Sequence, residues 1–218
     1  AYDWFYPVLT PDQRARYAAA LVDKGLRSGF TGTRGDRDLA CFGLESNWNE
    51  VCNGGTVAAA FAVAENEPAL ADRAVDRAVR LLPRILSSYA PHGAYPEGAI
   101  YWEYGTDFGV IALELIREMR GTDYGLSDMA GLSETCDYPN RMTGTTGLLY
   151  NFGDGAERRS PAFAMWWLAS RYHRPDALTS YERGAFADWC ARAGLPEHVP
   201  GEGDRLLPLA AFWLDPPT

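Results

Sequence analysis

The sequence lacks several features that would assign it to a large class of proteins. Its 218 residues include only three histidines and four cysteines, and these form no CxxC pair and no Cys/His spacing of the kind that holds zinc. No apolar run reaches the ~18 residues of a membrane helix, because Glu65 ends one run and Pro83 and Arg84 interrupt another. We therefore expect no metal, no cofactor and no membrane partner.

Basic residues are also scarce. The chain has 20 Lys and Arg against 29 Asp and Glu, which gives a net charge of -9 and a pI near 4.8. Binding to nucleic acid requires a clustered excess of positive charge, so we expect no nucleic-acid partner. An acidic protein also repels anionic polymers at long range, so a bound anionic sugar would need a local basic patch.

The composition is otherwise that of a folded globular domain, with 47% hydrophobic and 22% charged residues. Cys41, Cys52, Cys136 and Cys190 could form two disulfides or act as small buried apolar groups, and the sequence favours the second interpretation. The chain begins at Ala1 without the basic segment and cleavage site of a signal peptide. We expect it to be part of a longer protein.

Helix signals dominate the chain. Thr10-Pro11-Asp12-Gln13 is a capping box with proline at the first helical position, and it predicts a helix that continues to Gly25. Further signals predict helices over about 46–64, from Asn66 and Pro68, over about 101–120, from Ser160-Pro161, from Thr179 with Glu182, and over 206–214. No alternating pattern is longer than residues 148–152. We predict one all-α domain over residues 1–218.

Two corners between a loop and a helix could carry chemistry, at residues 46–55 and 93–106. Both concentrate amides, carboxylates and aromatic rings, the mixture with which proteins bind sugars. Aromatic rows at helical spacing are equally typical of a hydrophobic core, so this pattern alone leaves both interpretations open. Gly54 and Gly55 lie inside a predicted helix, and we favour close helix packing over approach of a ligand as their reason.

Three segments in order carry a resemblance: NWNEVCNGG, then SSYAPHGAYPEGAIYWEYGTDFGV, then YPNRMTGTTGLLYNFGDG. Together they resemble the heparinase II/III-like polysaccharide lyases. The resemblance implies an incomplete α/α toroid, a periplasmic or secreted location, and a C-terminal β-sandwich domain of the parent protein that is missing from this chain. It implies β-elimination on a uronate-containing polysaccharide as the activity.

The resemblance also implies roles for two residues that lie 54 positions apart. Asn47 matches the family asparagine that neutralises the uronate carboxylate, and Tyr101 matches the tyrosine that acts as base and acid. Tyr104 is an alternative to Tyr101. Family members that use a second base have a histidine beside the asparagine, whereas this chain has Trp48 and Asn49 there.

The remaining predictions concern binding and rival functions. We predict that substrate is bound by seven residues: Trp48, Glu50, Tyr95, Glu97, Trp102, Tyr104 and Arg141. Arg141 would also supply the positive charge that a phenolate base needs. A toroid glycoside hydrolase using two of Glu50, Glu97, Glu103 and Asp107 is one alternative, although carboxylates also occur at helix starts for electrostatic reasons. A non-catalytic glycan-binding module is the other.

Overall fold

A computed structural model describes residues 2–30, 40–193 and 205–214. It is 69% helical. Within these residues no strand or sheet forms, and the one isolated β-bridge joins Thr143 to Leu149. The prediction of an all-α protein is confirmed at this level. In the same parts of the chain no helix has both the length and the apolar character needed to cross a membrane.

The chain forms two compact units, which are described separately. The first contains Ala1–Ile85 and Ile111–Ser127, and the second contains Leu86–Val110 and Asp128–Thr218. The long helix α5, Ala99–Arg120, contributes residues to both units.

The first unit is built from helices and tight helical turns. Its elements are α1 (Tyr2–Phe5), a 3-10 turn (Tyr6–Val8), α2 (Pro11–Ala20), a π-helical continuation (Leu21–Leu26), 3-10 turns at Arg27–Phe30 and Ala40–Gly43, α3 (Asn47–Val63) and α4 (Pro68–Leu86). Both halves of the predicted capping box form: Gln13 N donates to the Thr10 hydroxyl, and Thr10 N donates to Gln13 Oε1. The predicted loop at 28–45 includes residues 31–39, which lie outside the described residues.

Small residues let the first unit pack closely. A Cβ added at Gly25 would lie 3.6 Å from Ala59 Cβ, so the π-helical segment approaches α3 through these two residues. Around this contact lies a core of Val22, Leu26, Phe30, Ala60, Val63, Ala71 and Ala74. The packing interpretation does not extend to Gly55, because a Cβ at that position would meet only open space.

The second unit begins with a 3-10 turn and combines short helices with loops. Its elements are Ser87–Tyr89, α5 as far as Val110, a 3-10 turn at Glu134–Asp137, α6 (Tyr138–Arg141), α7 (Ala164–Arg171), a 3-10 turn at Pro175–Ala177, α8 (Ser180–Arg192) and a 3-10 helix at Leu207–Trp213. The predicted capping box of Thr179 and Glu182 opens α8.

The predicted start of α7 at Ser160-Pro161 is wrong. The helix begins at Ala164, whose backbone N–H donates to Asp107 Oδ1 at 2.9 Å. The first backbone N–H groups of a helix have no partner within that helix, and here the side chain of a residue on α5 accepts one of them at the start of α7. No local pattern around Ser160 could have indicated this partner.

Candidate functional site

The first predicted corner lies at the start of α3 in the first unit. Asn47 is the first residue of the helix and only 4% exposed, Glu50 is 1% exposed, and the two lie one turn apart on the same face. Trp48 points outward and is 57% exposed. The corner therefore combines two buried polar side chains with an exposed aromatic ring.

Two further amides of α3, which the sequence analysis did not select, hold this corner in place. Asn49 Nδ2 donates to Leu44 O at 2.9 Å and to Leu81 O at 3.0 Å, and Asn53 Nδ2 donates to Phe42 O at 3.0 Å. Both side chains are fully buried. They attach the start of α3 to the preceding segment and to α4. Residues four apart lie on the same face of a helix, so the spacing of these two asparagines was the signal in the sequence that could have indicated a shared buried face.

Two aromatic residues predicted to bind substrate, Tyr95 and Trp102, are instead core residues of the second unit. Tyr95 is 2% exposed, and its ring centroid lies 5.4 Å from that of Tyr89. Trp102 is 1% exposed, and its Nε1 donates to Thr135 Oγ1 at 2.7 Å. Since protein covers both rings, neither presents a face on which a sugar could stack, and we correct their predicted role to core packing.

The two candidate catalytic tyrosines differ in position and exposure. Tyr101 is half-buried and is the third residue of α5, whereas Tyr104 is 41% exposed and contacts the Phe108 ring edge-on at 5.7 Å. Glu97, in the loop before the helix, is half-buried. Tyr101 belongs to the second unit and Asn47 to the first, so the groove they are predicted to share stays a prediction.

Two carboxylic acids one turn apart on α5 have perturbed acidity. Burial raises the pKa of Glu103 to about 7, opposed by a hydrogen bond with Ser160 and by the charge of Arg159. Burial and the neighbouring Glu103 raise the pKa of Asp107 well above its usual range, opposed by the backbone amides of Ala164 and Phe163. Asp107 is enclosed and caps α7, whereas Glu103 is the carboxylic acid that can exchange a proton near neutral pH.

Glu103 lines a small cavity of the second unit together with a basic residue, although not the predicted one. Arg159 lines the same cavity, with Trp102 and Ser160. Arg141, predicted to supply positive charge to the tyrosine base, has a side chain that is 69% exposed and pairs with Asp137 at 3.1 Å. The arginine whose charge acts on Glu103 is therefore Arg159.

Arg159 is held in place by a buried network. Its guanidinium pairs with Glu182 and donates to Asn140 Oδ1 at 2.8 Å, and it lies 4.4 Å above the ring centre of Tyr181. The side chains of Arg159 and Glu182 are 9% and 1% exposed. Because the Glu182 carboxylate already neutralises the Arg159 guanidinium, the charge of Arg159 offsets only part of the rise in the pKa of Glu103.

The first unit also contains an open groove of about 700 Å³ that includes none of the predicted site residues. Aromatic rings and carboxylates form much of its lining: Tyr2, Tyr6, Phe61, Asp3, Glu65 and Asp72. Arg120 lies at this groove and pairs with Asp72 at 2.7 Å and with Asp76 at 3.2 Å. The arginine in the described lining of this groove is therefore already paired with two carboxylates.

Within the described ranges no group of three or more His, Cys, Asp or Glu side chains is arranged to hold a metal ion. Comparison of the chain with models of protein families finds no match, and comparison with curated proteins finds none either.

Proposed function

We propose that this chain is the helical domain of a lyase that cleaves a uronate-containing polysaccharide by β-elimination. The observation that supports the proposal is the position of the two motif residues. Asn47 is the first residue of α3, and Tyr101 lies in the first turn of α5. The N-terminal end of a helix favours negative charge. In β-elimination negative charge develops on the uronate carboxylate, which Asn47 would bind, and on the departing glycosidic oxygen, which Tyr101 would protonate.

In the proposed reaction, the Asn47 amide donates a hydrogen bond to the uronate carboxylate and stabilises the charge that develops when the C5 proton leaves. Tyr101, acting as base and then as acid, takes that proton and returns it to the departing glycosidic oxygen. The C4–O bond breaks and a C4–C5 double bond forms, so atoms and charge balance without an external reagent. The same proposal includes a β-sandwich domain that a longer protein supplies.

The test uses the full-length parent protein with alginate, heparan and hyaluronan, and measures the ultraviolet absorbance of the unsaturated uronate product. We expect Tyr101→Phe to abolish turnover, while the matched variant Tyr104→Phe, three residues along the same helix, retains it. Asn47→Asp should also lose turnover, because a second carboxylate would repel the substrate's own. Turnover that survives Tyr101→Phe would contradict the assignment.

A glycoside hydrolase is a second candidate, and one observation favours it. Glu103 lines a cavity of about 10 Å³, which has room for roughly one water molecule, and burial raises its pKa to about 7, so it could exchange a proton with such a water near neutral pH. Asp107 is occupied at the start of α7, and Glu97 is then the other predicted candidate carboxylate in this unit. Hydrolysis would release reducing ends without ultraviolet absorbance, and Glu103→Gln rather than Tyr101→Phe would abolish it.

A further inference from the structure

Two half-buried cysteines of the first unit lie side by side. Cys41 belongs to the 3-10 turn Ala40–Gly43, and Cys52 lies in the second turn of α3. Their thiols are within hydrogen-bonding reach of each other. The adjacent residues are also joined, because Asn53 Nδ2 donates to Phe42 O at 3.0 Å.

Two amides of α3 hold the backbone of the segment that follows Cys41. Asn53 holds the carbonyl next to Cys41, and Asn49 holds Leu44 O at 2.9 Å, three residues further along. A disulfide requires two Cβ atoms a few ångströms apart on backbones that do not have to move. Two thiols within hydrogen-bonding reach, on segments joined by a buried amide, need little motion to form this bond.

We propose that Cys41 and Cys52 are a site of reversible disulfide formation by exchange with an external disulfide such as oxidised glutathione. The Cys41 sulfur, once it has lost its proton, attacks one sulfur of the external disulfide and expels one glutathione thiolate. The Cys52 sulfur, after its own proton leaves, attacks Cys41 and expels the second. Two protein thiols are oxidised and one disulfide is reduced to two thiols, so electrons balance.

The surroundings predict a slow reaction with a strong pH dependence. Burial and the hydrogen bond to Cys41 raise the pKa of Cys52 to about 12, while the charge of Arg77 lowers it. Because the thiolate is the attacking species, exchange should accelerate as the pH rises. The product would join the 3-10 turn covalently to α3, just beyond the first turn that carries Asn47.

The experiment treats the 218-residue chain with oxidised glutathione at mildly alkaline pH, alkylates the remaining thiols and maps peptides by mass spectrometry. We expect a peptide cross-linked through Cys41 and Cys52, an intact mass lower by two hydrogens, and reversal by dithiothreitol. Closing this short loop should raise Tm by roughly 5–10 °C. The Cys190→Ser variant, which removes an exposed cysteine, should keep the cross-link.

The Cys52→Ser variant should lose the cross-link and carry glutathione on Cys41 instead. The primary measurement is on the unaltered chain, so the test does not depend on whether this variant folds. Recovery of both Cys41 and Cys52 as alkylated free thiols after oxidation would overturn the proposal. So would glutathione adducts without a cross-link, or a cross-link from either residue to Cys136 or Cys190.

Discussion

The buried ion pair of Arg159 and Glu182 offers a sharp test of how the second unit is held together. Glu182 has two roles: one oxygen pairs with Arg159, and the other accepts the Thr179 backbone N–H at 2.9 Å in the capping box of α8. Glu182→Gln keeps the shape and an oxygen for the cap but removes the charge. The variant therefore separates the ion pair from the cap.

The expected magnitude follows from burial. The two side chains are 9% and 1% exposed, so a guanidinium without its partner would remain largely out of water. Removing one member of a buried pair typically costs about 3–5 kcal/mol. Some of this loss is offset because Arg159 keeps its bond to Asn140, so we expect about 3 kcal/mol for Glu182→Gln. The matched surface variant Arg141→Met, whose side chain is 69% exposed, should cost less than about 1 kcal/mol.

The assay is urea unfolding followed by circular dichroism and by tryptophan fluorescence, since Trp189 lies on α8. The double variant Arg159→Met with Glu182→Gln should recover part of the loss, because it removes the unpaired charge and keeps an oxygen for the cap of α8. A loss for Glu182→Gln no larger than that for Arg141→Met would contradict a stabilising role for the buried ion pair. So would a double variant that is less stable than Glu182→Gln.

Three further predictions concern stability. Burial raises the pKa of Glu103 from 4.5 to about 7, so it contributes about 3 kcal/mol to the free energy of unfolding below pH ~4.5, and this contribution is lost as the pH rises through 7. In Glu103→Gln the free energy of unfolding should fall less between these pH values, and an equal fall in both proteins would contradict this prediction. Arg77→Met should cost about 3 kcal/mol by denaturation, since Arg77 donates to Gly29 O at 3.0 Å and to Thr56 Oγ1 at 3.1 Å, whereas exposed Arg80→Met should be nearly neutral. Thr135→Val should lower the unfolding free energy by about 2–3 kcal/mol because Trp102 Nε1 and Gly93 O lose their partner, and Thr135→Ser, which keeps the hydroxyl, should lose much less.

Local chemistry made much of the helical framework predictable from the sequence. The capping boxes at Thr10 and Thr179 form as predicted, because each uses groups only three residues apart. The starts of α3 and α4 also lie where the serine and proline signals indicated. Of the candidate site, the sequence located the two corners and the residue types that could carry chemistry.

Only the tertiary structure decided which of those side chains are available. Tyr95, Trp102 and Tyr104 belong to one aromatic-rich segment, yet the first two are buried and the third is exposed, because residues distant in sequence pack against Tyr95 and Trp102. Asp107 lies 57 residues before the Ala164 amide that it caps, so the start of α7 could not be predicted from nearby residues. The raised pKa of Glu103 has the same origin: burial depends on what packs against a residue, and the local sequence does not determine that.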